Sequence, residues 1–305
     1  MADHIARWDG SAWHALGGGL NDTVNAIAVA GADVYVGGYF HTVCGDVDHF
    51  IADYIARWDG SAWHRLVGLN GSVHAIAVAG PDVYVGGAFT EAGGEADADY
   101  IARWDGSTWH ALGSGLNDIA YAIAVAGPDV YVGGAFTHTG GGGELNHIAR
   151  WDGTQWNPVG GGLNERVIAI ETVGPDVYVG GRFTDAGGPN GDHIVRWDRL
   201  SWNALGSGLN DDAHAIVVAG PNLYVGGAFT QTGGGNSIEH IARWDQAGWH
   251  PVGSGLNDDV YAVTVVGPDV YMGGDFAAAG GDTDANFITR WGGVIYRVYL
   301  PLVLK

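Results

Sequence analysis

The chain has 305 residues, of which 34 are acidic and 13 basic, and its formal net charge is −21. A chain this acidic repels phosphate backbones and anionic lipids, which excludes nucleic acid as a partner. No run of 18 apolar residues occurs, so we expect no membrane insertion, and the single cysteine, Cys44, excludes an internal disulfide. The first residues lack a signal pattern, so an exported form would have lost its signal.

The first predicted element is a hairpin from Ile5 to Leu16, in which two short apolar segments flank an Asp9-Gly10 turn. A small-apolar run (NAIAVAG) and an alternating run (DVYVGGYF) follow, and the hairpin segment then returns from Ile55. This order repeats to the end of the chain, with the tryptophan of each Arg-Trp pair at 8, 58, 104, 151, 197, 244 and 291. Spacings of 46 to 50 residues indicate a repeat architecture.

Each period of about 47 residues predicts four antiparallel strands, labelled A to D. Strand A is the small-apolar run, strand B the alternating run, strand C the IARW segment, and strand D surrounds the second tryptophan. Four short strands per period are typical of one blade of a β-propeller. We therefore predict an all-β fold, a single β-propeller of six four-stranded blades over residues 1–287.

The chain termini determine how such a ring closes. There are six A–B pairs but seven C–D segments. Pairing of the N- and C-terminal segments removes the open edge of the ring, and the last copy has lost the Asp, the Gly and the second Trp. We expect the hairpin Ile5–Leu16 to complete the blade begun by Val260–Phe276, which leaves residues 288–305 as a surplus segment. That segment either crosses the disc or adds to a second molecule, and closure by the C-terminal copy is the alternative.

A Tyr-Val-Gly-Gly motif at 35, 84, 131, 178 and 224, with Tyr-Met-Gly-Gly at 271, ends strand B in every repeat. The Gly-Gly pair, the aromatic strand C and the tryptophan of strand D resemble the kelch repeat, and more closely the bacterial kelch-like repeats of secreted multi-repeat proteins. The resemblance covers almost the whole chain, which departs from typical kelch in its RWDG strand C. It implies a binding scaffold at an extracellular or cell-surface location.

The repeated tryptophans and arginines predict packing. Trp8 and Trp13 flank a tight turn, which places both rings on one face of the blade, where they fill the gap to the next blade. Arg7 and its equivalents alternate with the tryptophans and lie on the opposite face. A partly buried guanidinium requires a carboxylate, and an aspartate that recurs in five of the six repeats is a candidate partner, alongside the aspartate of the WDG turn. The five recurring aspartates are Asp33, Asp82, Asp129, Asp176 and Asp269.

Length variation is confined to the B–C and D–A loops, which share one end of every blade. The B–C gaps are 14, 11, 11, 10, 11 and 11 residues, whereas the other turns are short and uniform. The variable loops also contain 21 of the 34 carboxylates. In repeat proteins the variable loops usually form the binding face.

Three of these loops contain acidic residues two apart, which suits the oxygen ligands of Ca²⁺. They are Asp46 and Asp48; Glu95, Asp97 and Asp99; and Asp282, Asp284 and Asn286. Ca²⁺ is the one cofactor that the sequence suggests, and a solvated acidic rim is the alternative interpretation. Metal binding by His147, His193 and His240, which precede strand C, would require histidines of different blades to meet.

The start of strand A predicts a ring of side chains at the mouth of a central channel. The side chains able to bind a sugar or peptide there are Asn25, His74, Tyr121, His214 and Tyr261, with Ile168 completing the ring. No asymmetric catalytic constellation occurs, so we predict that the protein is not an enzyme. The leading hypothesis is an exported binding module for a carbohydrate or a protein surface. A structural role at the cell surface, with self-association through the terminal strands, is the alternative.

Overall fold

The computed structural model describes residues 4–44, 50–66, 68–186, 188, 190–281, 285 and 287–292. The chain forms two compact units, Met1–Val159 and Gly160–Lys305. In the described ranges every regular element is a β-strand. No helix in those ranges is long and apolar enough to cross a membrane.

The first unit contains a hairpin and three four-stranded sheets. The hairpin strands are β1 (Ala6–Trp8) and β2 (Trp13–Ala15). Blade 1 contains β3 (Val24–Ala30), β4 (Asp33–Gly38), β7 (Ile55–Trp58) and β8 (Trp63–Arg65), with β5 (Thr42–Val43) and β6 (Phe50–Ile51) paired in its B–C loop. Blade 2 contains β9 (Val73–Ala79), β10 (Asp82–Gly87), β11 (Ile101–Trp104) and β12 (Trp109–Ala111), and blade 3 contains β13 (Ala120–Ala126), β14 (Asp129–Gly134), β15 (Ile148–Trp151) and β16 (Trp156–Pro158).

The second unit contains three further sheets. Blade 4 contains β17 (Val167–Val173), β18 (Asp176–Gly181), β19 (Ile194–Trp197) and β20 (Trp202–Ala204). Blade 5 contains β21 (Ala213–Ala219), β22 (Asn222–Gly227), β23 (Ile241–Trp244) and β24 (Trp249–Pro251). Blade 6 has three strands among the described residues, β25 (Val260–Val266), β26 (Asp269–Gly274) and β27 (Ile288–Trp291). The antiparallel order A-B-C-D confirms the strand prediction.

Blade 6 corrects the predicted closure. Its third strand is β27, which pairs with β26 and places Arg290 opposite Tyr271. The expectation that Ile5–Leu16 fills this position, and that 288–291 is surplus, is wrong. The C-terminal copy keeps the alternating pattern of strand C and follows β26 directly, so a short loop is enough to form this pair. Residues 293–305 lie outside the described residues.

The N-terminal hairpin forms a two-stranded sheet of its own, β1–β2. Its Ile5 and Leu16 are buried in one core cluster with Val36 and Phe40 of blade 1. The phenylalanine that ends strand B is fully buried in every blade; these residues are Phe40, Phe89, Phe136, Phe183, Phe229 and Phe276. The apolar side chains of the hairpin therefore pack in the core of the first unit.

The repeated Gly-Gly pair has a steric origin. A Cβ on Gly86 would lie 2.9 Å from Cβ of Ala120, in strand A of the following blade. A Cβ on Gly87 would meet the carbonyl oxygen of Ser72 in its own blade. Both contacts would be closer than real Cβ contacts allow. The first glycine therefore lets the next blade approach, and the second lets strands A and B close at their ends.

The tryptophans of blade 3 occupy the packing role predicted for them. In blade 3 the Cα atoms of Trp151 and Trp156 are paired across the hairpin and the ring centroids lie 5.3 Å apart. Both rings pack on Gly113 of the preceding D–A loop, where a Cβ would lie 3.1 Å from Trp151. As predicted, both rings lie on one face of the blade, with 59° between their planes, whereas Trp8 of the N-terminal hairpin is 41% exposed and departs from the predicted packing role.

The arginine of strand C pairs with the aspartate that begins strand B, as predicted. Arg150 Nη1 donates to Asp129 Oδ1 at 3.1 Å, and Asp129 is buried. The same contact at 2.9–3.1 Å joins Arg57 to Asp33, Arg103 to Asp82, Arg196 to Asp176 and Arg290 to Asp269. Blade 5 has Asn222 at this position, and Arg243 donates to its Oδ1 at 2.9 Å.

Candidate ligand-binding site

The B–C and D–A loops lie at one end of each sheet, which we call the loop end. One asparagine of the D–A loop fixes the B–C loop in each blade: Asn117 Oδ1 accepts from the backbone N–H groups of Thr137 and His138, both at 2.9 Å. The equivalent residues Asn21, Asn70, Asn164, Asn210 and Asn257 accept similar backbone hydrogen bonds. The repeated Gly-Leu-Asn sequence thus builds a defined platform.

The residue before strand C has a left-handed backbone conformation in every blade. His147 (φ 70°) donates its N–H to Phe136 O at 2.8 Å, and its carbonyl accepts from Gly134 N at 3.0 Å. Its Nδ1 lies 3.3 Å from Gly134 O, and His193 and His240 make the same contact with Gly181 and Gly227. These histidines form repeated loop contacts, and among the described residues no three His, Cys, Asp or Glu are grouped as a metal site requires.

In the first unit the structure brings together three aromatic rings from successive blades. The ring of His74 lies edge-on to Tyr39 at 5.7 Å and to Tyr121 at 5.4 Å between centroids. His74 and Tyr121 open strand A in blades 2 and 3, and Tyr39 follows the Gly-Gly pair of blade 1. We call these three residues the aromatic row. Tyr39 is 47% exposed, so its ring is accessible to a ligand.

Polar groups flank the aromatic row. Asn25 Nδ2 donates to Val73 O at 2.9 Å, and Ser72 Oγ lies 3.3 Å from His74 Nε2. Burial lowers the pKa of His74, which favours the neutral imidazole at pH 7. The structure therefore places Asn25, His74 and Tyr121, which the sequence predicts as ligand contacts, on one side of the first unit with Tyr39 added to them.

In the second unit the predicted residues His214 and Tyr261 are stacked, with centroids 5.3 Å apart and an interplanar angle of 22°. Tyr261 donates its hydroxyl to Asp275 Oδ2 at 3.0 Å. Burial of the phenol, the Asp275 hydrogen bond and the charges of Asp275, Asp259 and Asp258 raise the pKa of Tyr261 to about 12. Burial is also the main cause that lowers the pKa of His214.

Charged side chains surround this stacked pair. The Asp212 carboxylate lies 3.5 Å from Arg182 Nε and 3.5 Å from His193 Nδ1. One blade further on, His240 Nδ1 lies 3.5 Å from Asp259 Oδ1. The loop end of the second unit is therefore charged, whereas the aromatic row of the first unit is neutral.

Tyr39, Arg182 and Asp275 are contacts that sequence reasoning missed. They occupy the position between Gly-Gly and Phe at the end of strand B, where the other three blades have Ala88, Ala135 and Ala228. The departure from alanine within an invariant motif was the available signal. The sequence does not show where these side chains lie, because their position depends on strand pairing. Tyr39 N donates to Thr23 O, which places the Tyr39 side chain next to the start of strand A.

The Ca²⁺ prediction falls largely outside the described residues, which exclude Asp46, Asp48, Asp282, Asp284 and Asn286. In the remaining loop Glu95 and Asp97 are exposed and Asp99 is half-buried. Burial and the Asp97 charge raise the pKa of Asp99. A Ca²⁺ site at the loop end remains a prediction.

No family model and no curated protein matches the chain. Among solved structures, the WD40 β-propeller domain of Doa1 is similar with a TM-score of 0.60 and 14% identity, covering 93% of this chain and 84% of that chain. A chain of the Mitotic Checkpoint Complex is similar with a TM-score of 0.58 and 15% identity, covering 94% and 84%.

The extracellular domain of BT4673 from B. thetaiotaomicron is similar with a TM-score of 0.60 and 10% identity. The match covers 94% of this chain and 35% of that chain. At these identities the likeness defines the fold alone. The fold is a six-bladed β-propeller.

Proposed function

We propose that this protein is a non-catalytic binding module, exported to the extracellular space or cell surface, whose loop end contacts a carbohydrate or the surface of another protein. The observation that supports this proposal is the location of the non-repeated side chains. Tyr39, Arg182 and Asp275 replace alanine at equivalent positions, and all three lie at the loop end. Function in repeat folds resides in such departures from the repeat.

The opposite end of the sheets repeats one set of turn contacts in most blades, which supports binding by the loop end. In the C–D turn, Asp105 Oδ1 accepts from Ser107 N and Thr108 N, both at 2.8 Å, and Oδ2 contacts His110 Nε2 at 2.6 Å. The same aspartate and histidine contact recurs at Asp9–His14, Asp59–His64 and Asp245–His250. Repetition of one contact in several blades indicates a structural role, since a catalytic site requires an asymmetric arrangement.

Replacement of the three non-repeated side chains by the alanine of the repeat tests this function. A triple variant, Tyr39→Ala, Arg182→Ala and Asp275→Ala, restores the residue that three blades already have. We expect the unmodified protein to bind selectively on a glycan array or on an array of folded protein domains, and the triple variant to lose those signals. Leu200→Ala, an 89% exposed residue of a C–D turn, is the control. Absence of selective binding on both arrays, or equal binding by the triple variant, would contradict the proposal.

A further inference from the structure

The pair formed by His74 and Tyr121 recurs in the second unit as His214 and Tyr261, but only in the first unit does a third ring, Tyr39, extend the pair into a row. Equivalent positions hold Asn25 in blade 1 and Ile168 in blade 4, and alanine follows Gly-Gly in blades 2 and 3. Packing of the blades therefore does not require a Tyr-His-Tyr series. The edge-on contacts at 5.7 and 5.4 Å set the three rings at steep angles to one another, 86° and 74° between planes. Such a surface offers both ring faces and ring edges to a ligand.

The aromatic row is also neutral in a protein of net charge −21. At the start of strand A and after Gly-Gly, the first three blades have no acidic or basic side chain apart from the neutral His74; these positions are Thr23, Asn25, Tyr39, Ser72, His74, Ala88, Ile119, Tyr121 and Ala135. Blades 4 to 6 have Arg166, Arg182, Asp212, Asp259 and Asp275 at the same positions. At these positions, charge thus distinguishes blades 4 to 6 from the first three blades.

We propose that the aromatic row and Asn25 form a subsite for a neutral saccharide. A pyranose has an apolar C–H face, which packs on an exposed aromatic ring such as Tyr39, and a hydroxyl rim that needs uncharged donors and acceptors. The phenol groups of Tyr39 and Tyr121 supply both. The amide nitrogen of Asn25 donates to Val73 O, and its Oδ1 is an acceptor. Tyrosine and asparagine side chains are well suited to such contacts.

The charges beside the aromatic row select against acidic sugars. Asp22 and Asp118 are exposed D–A loop residues one position before Thr23 and Ile119. A sulfated or carboxylated saccharide would approach these carboxylates and be repelled, whereas a neutral saccharide would not. A protein surface normally offers charges that a partner must match, and the aromatic row offers none.

The test uses the full chain, and the proposal rests on the binding function above. Neutral and acidic oligosaccharides are screened on one array, and the best neutral oligosaccharide is titrated by calorimetry. We expect Tyr39→Ala and Tyr121→Ala each to weaken its binding about tenfold or more, the usual effect of truncating an aromatic anchor. Tyr121→Phe, which keeps the ring, should weaken binding less than Tyr121→Ala. Leu200→Ala should bind as the unmodified protein does, and circular dichroism melts confirm folding of each variant.

The results separate the subsite from the binding function. Binding of acidic glycans or protein domains only, or neutral binding that survives both Tyr→Ala variants, would overturn the subsite and leave the binding function in place. Should Tyr121→Ala fail to fold, Tyr39→Ala decides alone, since Tyr39 is 47% exposed.

Discussion

Trp156 Nε1 donates a hydrogen bond to the carbonyl oxygen of Leu112 at 2.8 Å and thereby joins strand D of blade 3 to the D–A connection that precedes it. Trp63 makes the same contact with Leu16 at 2.8 Å, and Trp249 with Leu205 at 2.9 Å. The second tryptophan of the repeat therefore supplies both apolar area and a directional bond to the preceding repeat. Stability in repeat folds depends on such nearest-neighbour contacts.

Removal of one of these rings tests their role in stability. Trp109 is 4% exposed and packs against Gly93, where a Cβ would lie 2.7 Å from Trp109 Cδ1. Trp109→Ala should lower the free energy of unfolding by about 3–5 kcal/mol, the range for emptying an aromatic core position. Trp8→Ala is the control, because Trp8 is 41% exposed, and its effect should be clearly smaller. Equal urea-denaturation midpoints for Trp109→Ala and the unmodified protein would show that these rings are surface features.

The sequence predicts contacts that follow from the alternation of residues along paired strands, and it predicts contacts made by loops less well. The four strands, the placement of Trp151 and Trp156 on one blade face and the Arg150–Asp129 pair follow from alternation within one period, because residues on adjacent strands share a face. The platform formed by Asn117 joins a D–A loop to a B–C loop, and strand alternation does not specify how two loops meet. Tyr39 was missed for the same reason, since its neighbours His74 and Thr23 belong to other strands.

The Arg–Asp pair of each blade gives a second prediction. Asp129 is buried and accepts from Arg150, whereas blade 5 uses Asn222 for the same purpose. Asp129→Asn should therefore cost less than about 1 kcal/mol, because an amide oxygen can still accept the bond. Asp129→Ala leaves the guanidinium without its acceptor and should cost about 1–3 kcal/mol. Thermal or urea denaturation measures the difference, and equal costs for the two variants would contradict the role of the hydrogen bond.

The C–D turns predict loss of stability in acid. Backbone and side-chain hydrogen bonds hold the pKa of Asp105 well below its usual value of 3.8, with the His110 contact the largest cause, and similar bonds from Ser201 and Leu200 lower that of Asp198 to about 2. Since the folded pKa lies below the unfolded one, their stabilisation is complete above about pH 4 and is lost as the pH falls through the folded values.

Urea denaturation at pH 6, 4, 3 and 2 measures this loss. We expect the free energy of unfolding to decrease as the pH drops below 4. In the Asp105→Asn variant it should decrease less steeply, because asparagine does not titrate. A profile that is flat between pH 4 and 2, or the same slope for the variant, would show that these turns do not contribute to acid sensitivity.

We expect divalent cations to stabilise the folded protein by binding to its acidic loops. A cation that binds the folded state alone raises its stability by mass action, whatever the geometry of the site. We expect a higher melting temperature with millimolar Ca²⁺ than with NaCl of equal ionic strength. Replacement of Glu95 by Gln and of Asp97 and Asp99 by Asn tests the B–C loop of blade 2. Replacement of Asp46 and Asp48 by Asn tests the B–C loop of blade 1. No difference between the salts would leave the solvated acidic rim as the interpretation.

The C-terminal strand gives the last prediction. Strand β27 pairs with β26 over four residues, buries Thr289 at 3% exposure and joins Arg290 to Asp269 at 3.1 Å. Deletion of residues 288–305 exposes Val270 and Met272, which are buried in the core of blade 6, and leaves Asp269 without its arginine. We expect the melting temperature to fall by about 5 °C or more. Deletion of 293–305 is the matched control, since it keeps β27 and should cost less. If the longer deletion melts like the intact protein, residues 288–291 are dispensable and the surplus-segment interpretation is restored.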